Sequence, residues 1–147
     1  MSQDRLYQQQ LLELARLARS NTTQDQPTHK AEMLNPVCGD KVTVALVMDQ
    51  QSVKSINIKV RGCAICEAAA GLMYHFCNHH DSTMLNQMST AIPEWFADDN
   101  DTKLPDHALE PLIPVKLSYR NRIRCATLPF EAYTLAKQSP LDLSNKP

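Results

Sequence analysis

Apolar and polar side chains alternate along Val53-Lys54-Ser55-Ile56-Asn57-Ile58-Lys59-Val60, most cleanly from Ile56 onward. A period of two sends successive side chains to opposite faces of a strand, so one face of this segment is expected to be buried and the other wet. The preceding Lys41-Val42-Thr43-Val44-Ala45-Leu46-Val47-Met48 is apolar and β-branched and reads as a second strand. Residues 49–52 can turn between the two, which predicts an antiparallel hairpin. A further short strand is expected over His29 to Leu34.

Helical spacing governs the ends of the chain. Leu6, Leu11, Leu14 and Leu17, with Tyr7 and Ala18, recur at a near-helical period. Asp4 lies near the start of that run and Arg16 and Arg19 near its end, as the helix dipole favours, so a first helix is expected from Asp4 to Arg19. The polar stretch 21–28 reads as a linker that leaves this helix loosely tethered. Alanine-rich Ala64 to Cys77 reads as a buried helix, and Ser82 to Ile92 as another with Asp81 or Ser82 as its N-cap. Pro93 to Leu109 carries Asp98, Asp99, Asp101 and Asp106 and is expected to be a long solvated loop, with Trp95-Phe96 as a core or interface anchor. Prolines at 105, 111 and 114 predict an irregular or extended segment. A last helix is expected from Cys125 to Lys137, with Pro140 and a polar tail (139–147) ending the fold.

Composition narrows the function classes. A chain of 147 residues fits a single domain with its own core. The formal net charge is −1, which provides no electrostatic case for nucleic acid or an anionic membrane surface. No apolar run approaches the roughly 20 residues of a membrane span, and residues 1–20 do not resemble a secretory signal. A cytoplasmic location with reduced thiols is therefore expected, and the five cysteines do not read as a disulfide framework.

Three of those cysteines stand where a loop should meet an ordered element: Cys38 in Asn35-Pro36-Val37-Cys38-Gly39-Asp40, Cys63 in Gly62-Cys63-Ala64-Ile65-Cys66, and Cys125 in Arg122-Ile123-Arg124-Cys125-Ala126-Thr127-Leu128-Pro129. With Asp40 they form a set of three thiolates and a carboxylate, which suits zinc or an iron–sulfur centre. Gly39 leaves the Cys38 turn conformationally free. Cys63 and Cys125 are expected at helix N-termini, where the dipole would lower both thiol pKa values. Cys77 reads as a packing residue and Cys66 as an inward-facing, accessory thiol, since one CxxC without a second pair is weak evidence for zinc. His79 and His80 read as solvated surface.

These three blocks, in this order and separated by a predicted hairpin, resemble the U-type iron–sulfur cluster assembly proteins: SufU, IscU and the N-terminal domain of NifU. The resemblance covers roughly residues 30 to 137. Steps of 25 residues from Cys38 to Cys63 and 62 to Cys125 place it nearest the SufU branch, which carries an insertion before its last cysteine. It implies a SufE/NifU-like α+β fold, a small antiparallel sheet of about three strands packed against helices. It also implies zinc held by Cys38, Asp40, Cys63 and Cys125, or alternatively a transient iron–sulfur cluster on Cys38, Cys63 and Cys125.

The resemblance further implies a SufS-like cysteine desulfurase as sulfur donor and downstream iron–sulfur assembly proteins as partners. Cys38 would be the sulfur acceptor, which makes a zinc-dependent sulfurtransferase the leading reading. A cluster scaffold and a structural zinc-binding module are the alternatives. Arg124 occupies the position of the histidine that precedes the last cysteine in IscU, which favours SufU. Leu112-Ile113-Pro114-Val115-Lys116 is similar to the chaperone-recognition motif of IscU but is displaced from Cys125, and it is read as coincidental.

Overall fold

The structure is a computed structural model that describes residues 3–19, 26–77, 82–99 and 103–141. After helix α1 (Gln3–Arg19) come strands β1 (His29–Asn35), β2 (Asp40–Asp49) and β3 (Ser52–Arg61). Helices α2 (Ala64–Phe76) and α3 (Thr83–Ala97) follow, then a 3-10 turn (His107–Leu112), α4 (Ile113–Ser118), a second 3-10 turn (Arg120–Arg122) and α5 (Ile123–Lys137).

The strands form one antiparallel sheet in the order β1-β2-β3. Register pairs Asn35 with Asp40 at one end of β1 and Lys41 with Arg61 across β2 and β3. Val42, Val44 and Leu46 are buried, as the two-residue period requires, and Lys41, Thr43, Ala45 and Val47 stand on the wetter face. Helices α2 and α5 pack on the sheet and on each other, with Ile58, Leu72, Met73, Leu128 and Tyr133 among the fully buried side chains. The outcome is the expected α+β architecture with three strands.

Four segments depart from expectation. Helix α3 runs to Ala97 although Pro93 has no amide to give the Ser89 carbonyl. Trp95 and Phe96 are buried in the core, and that apolar burial outweighs the lost bond, at roughly 2 kcal/mol or more for each large side chain. The proline-bearing segment that follows, expected to be irregular or extended, is instead helical over His107–Leu112 and Ile113–Ser118. Pro111 lies within the 3-10 turn and Pro114 in the first turn of α4, where no amide is required, while Leu109 and Leu112 fill the core. Of the acidic residues, Asp98 and Asp99 are exposed and Asp106 is partly so.

Helix α1 is seated rather than loosely held. Ala15 and Ala18 are buried, Gly71 of α2 lies directly against the Leu14 carbonyl, and Arg19 Nε meets Glu67 Oε2 at 2.6 Å. Finally, the start of the expected tail joins the sheet: Lys30 N donates to Ser139 O (3.2 Å) and Leu141 N to Thr28 O (2.8 Å), which covers the open edge of β1. Residues 21–25 of the expected linker, Asp81, Asp101 and 142–147 of the tail lie outside the described residues; Ser82 caps α3 by position, without a side-chain hydrogen bond.

Lys116 explains how the end of α3 is held. Its side chain is 3% exposed, its Nζ donates to the carbonyls of Trp95 and Asp98, and it lies 5.0 Å from the centroid of the Trp95 ring. The Leu112–Lys116 stretch is thus part of the core, with Val115 also buried. Lys116→Met keeps the stem but withdraws both donors from the last turn of α3. It is expected to cost about 1–3 kcal/mol, read from urea unfolding. An unchanged midpoint would show that the end of α3 does not depend on this lysine.

Candidate metal centre

The site begins in the turn between β1 and β2. Asn35 is buried and organises it: Asn35 Oδ1 accepts from Val37 N (3.2 Å), and Gly39 N donates to Asn35 O (2.8 Å). Closing this turn requires φ +75° at Gly39, a left-handed conformation that suits glycine. The turn leaves Cys38 exposed, with Asn35 Nδ2 donating to its sulfur at 2.8 Å.

Asp40, the first residue of β2, is 2% exposed. Its Oδ2 accepts from the Cys38 thiol at 3.2 Å, and its Oδ1 accepts from Cys63 N at 3.2 Å. Cys63 is the N-cap of α2, so the carboxylate also sits at a helix N-terminus, where negative charge is favoured. Gly62 makes this approach possible, because a Cβ there would lie 2.5 Å from Asp40 Oδ1 and 3.2 Å from its Cβ.

Cys125 arrives from the far end of the chain, in the first turn of α5 and fully buried. Its sulfur is 3.4 Å from that of Cys38. One ligand atom from each of Cys38, Asp40 and Cys125 lies within 4.8 Å of the others, the one such group of three among the described residues. A tetrahedral zinc with Zn–S near 2.3 Å would set its sulfurs about 3.8 Å apart, so these donors need only small adjustment to hold it. The fourth expected member, Cys63, has its thiol beside that of Cys125 but outside this closely spaced trio.

The electrostatics favour a cation in the cluster. Burial, followed by hydrogen bonds with Asp40 and Cys38, pushes the Cys125 thiol well above its ordinary pKa. The expectation that its helix N-terminus would lower that pKa is therefore overturned: desolvation of a fully buried sulfur beside other acidic groups outweighs the dipole. A divalent cation reverses that balance by supplying the missing positive charge.

Cys66 and Cys77 remain outside the cluster. Cys66 is fully buried in α2, and burial raises its thiol pKa first, with the Asp40 charge next. Cys77, at the C-terminal end of α2, is raised by burial as well. His29 bonds Thr28, His75 packs edge-on to Phe76, and His107 is exposed. His79 and His80 lie outside the described residues.

Residues 6–92 match the NifU-like N-terminal domain family. The chain belongs to that family. The zinc-dependent sulfurtransferase SufU of Bacillus subtilis (strain 168) is 28% identical to it over 102 residues, 69% of either chain. Among solved structures, the N-terminal part of a nitrogen-fixing NifU-like protein from Brucella abortus superposes with TM-score 0.76 at 22% identity, over 90% of this chain and 92% of that one. An iron–sulfur cluster assembly scaffold protein for the SUF system, from Fervidobacterium islandicum AW-1, gives TM-score 0.72 at 21% identity, over 92% and 99%. Both likenesses bear on the fold, which is that of the NifU-like N-terminal domains.

Within this NifU-like frame, three residues beyond the expected set shape the site. Asn35 and Gly62 were in view only as members of motifs, and their proximity to Asp40 and to the Cys38 sulfur depends on pairing between β1, β2 and β3. The third is Arg122. Its guanidinium lies beside the Cys125 and Cys63 thiols. Arg124, the arginine nearest Cys125 in sequence, turns outward to Glu131 (Nη1–Oε1 3.4 Å). A cavity of about 480 Å³ opens beside Cys63, between α1 and the segment leading into α5, with Tyr7, Leu11, Pro114, Tyr119 and Arg122 in its walls.

Proposed function

We propose that this NifU-like protein is a zinc-dependent sulfur acceptor in iron–sulfur cluster assembly, taking persulfide sulfur from a SufS-like cysteine desulfurase in the cytoplasm and passing it to downstream assembly proteins. The observation that carries this reading is the placement of one exposed thiol, Cys38, in a glycine turn within 3.4 Å of buried Cys125 and 3.2 Å of buried Asp40. The name of the Bacillus relative, a zinc-dependent sulfurtransferase, supports the same activity. Among the described residues no helix is long and apolar enough to cross a membrane.

The residues that would hold zinc are Cys38, Asp40, Cys125 and, from beside Cys125, Cys63. Zinc supplies positive charge that keeps the thiols deprotonated near neutral pH. Cys38 is the ligand suited to leave, because its turn can move without unwinding a helix, whereas Cys63 caps α2 and Cys125 lies within α5. Its thiolate attacks the outer sulfur of the donor's cysteine persulfide. The donor's S–S bond breaks as the new one forms, the donor cysteine leaves as a thiolate, and the outer sulfur stays on Cys38 as a persulfide. Electrons balance without an added oxidant or reductant.

Incubation with a cysteine desulfurase and cysteine, followed by mass spectrometry under non-reducing conditions, is expected to show one added sulfur on the Cys38 peptide. Sulfur found only on Cys125 would sink the assignment. A coloured product with equal iron and sulfide would make the protein a cluster scaffold instead.

A further inference from the structure

We infer that Arg122 is a positioning residue for the thiol cluster, a fixed cation that holds the sulfurs of Cys63 and Cys125 in place while Cys38 moves. The inference rests on the zinc reading above and adds a residue to it.

The first ground is placement. Arg122 is the N-cap of α5, three residues before Cys125, a spacing that brings the two onto the same side of the helix start. It shares a cavity wall with Cys63, which approaches from the start of α2. Its guanidinium lies beside both thiols, so one side chain neighbours two helix N-termini that meet only through the tertiary fold. A planar fork of fixed donors is suited to two acceptors at once, which a lysine ammonium on a flexible stem is not.

The second ground is charge. Three thiolates and one carboxylate carry four negative charges, and a divalent cation returns two. The remainder is expensive where Cys125 and Asp40 are almost fully buried. The arginine supplies one compensating charge from inside the cavity wall. Its neighbours are engaged elsewhere: Arg120 with Asp99 at 2.5 Å and Arg124 with Glu131 at 3.4 Å. When Cys38 withdraws its charge and its ligand atom, the Arg122 contact is what keeps the two helix-borne sulfurs at their stations.

The test uses the full chain with Arg122→Met, Arg122→Gln and Arg122→Lys, and Arg120→Met as a control whose guanidinium pairs with Asp99. Zinc affinity is measured by chelator competition. The cobalt-substituted proteins are compared through their sulfur-to-metal charge-transfer bands, which a hydrogen-bonding cation shifts to higher energy by stabilising the thiolate electrons. Arg122→Met is expected to bind zinc about 10- to 100-fold more weakly, the range typical of lost partners of metal ligands. Its charge-transfer bands should move to longer wavelength, with Arg122→Lys recovering part of both effects and Arg120→Met matching the parent.

Parental affinity and bands in Arg122→Met would overturn the inference while leaving the zinc reading intact. If Arg122→Met does not fold, Arg122→Gln decides, because it keeps a donor without the charge, and parental values there are equally fatal. A parent chain with no zinc affinity overturns the zinc reading and this inference together.

Discussion

Cys125→Ser protein is expected to emerge from purification without zinc and to unfold at markedly lower temperature than the parent. Serine is nearly isosteric with cysteine, so little packing changes at this fully buried position, and the experiment reads coordination. The sulfur it removes is 3.4 Å from Cys38 and belongs to the trio of closely spaced ligand atoms. Structural zinc binding, on the order of 10–16 kcal/mol in small zinc domains, is at the same time folding energy, so losing a ligand loses part of both.

Elemental analysis and a thermal melt make the measurement. Cys63→Ser is expected to lose metal as well, as the member that completes four donors. Cys66→Ala and Cys77→Ala are the controls: both should keep their zinc and cost only packing, about 1 kcal/mol. Full zinc occupancy in Cys125→Ser would refute the ligand set. Zinc lost from Cys66→Ala would mean instead that Cys63 and Cys66 chelate as a pair.

A second large effect is expected far from the thiols, at Gly71. A Cβ on Gly71 would collide with the carbonyl of Leu14 in α1, a backbone atom that cannot rotate away as a side chain could. Gly71→Ala therefore pushes α1 off α2 and uncovers the buried faces of Ala15 and Ala18. The cost should reach about 1–3 kcal/mol or more, the range for overpacking a tight contact. Hydrogen exchange should show lost protection in α1 while the sheet stays protected, and zinc content should hold, because the trio lies on β2, its preceding turn and α5. Wild-type protection of α1 would mean that the contact accommodates a Cβ without displacing the helix. Tyr7 and Leu11 of α1 also wall the cavity beside Cys63, so the same variant opens that cavity on one side.

Much of this architecture was legible from local pattern. The β-branched apolar run at 41–48 and the alternating run at 53–60 placed β2 and β3 to within a residue or two, because a strand favours branched side chains and a half-buried one has to alternate. Helices α1 and α2 were legible for the same kind of reason, and so were the turn around Cys38 and the position of Cys63 as a helix cap. These features depend on neighbours a few residues apart.

What only the tertiary structure decided depends on segments far apart in the chain. Pro93 argues locally for the end of a helix, yet burial of Trp95 and Phe96 carries α3 onward. Prolines 111 and 114 argue for irregular chain, yet each sits in a helical turn while Leu109, Leu112 and buried Lys116 are drawn into the core. The dipole at the start of α5 argues for an acidic Cys125, yet complete burial raises its pKa. Arg124 was the conspicuous arginine by its place beside Cys125, yet it points outward to Glu131 and Arg122 lies beside the sulfurs.

The sequence by itself thus determined the strands and the main helices, and it marked the candidate thiols and carboxylate. Folding decided how they converge. Desolvation and side-chain direction are set by what packs from the other side, and no short-range pattern records that.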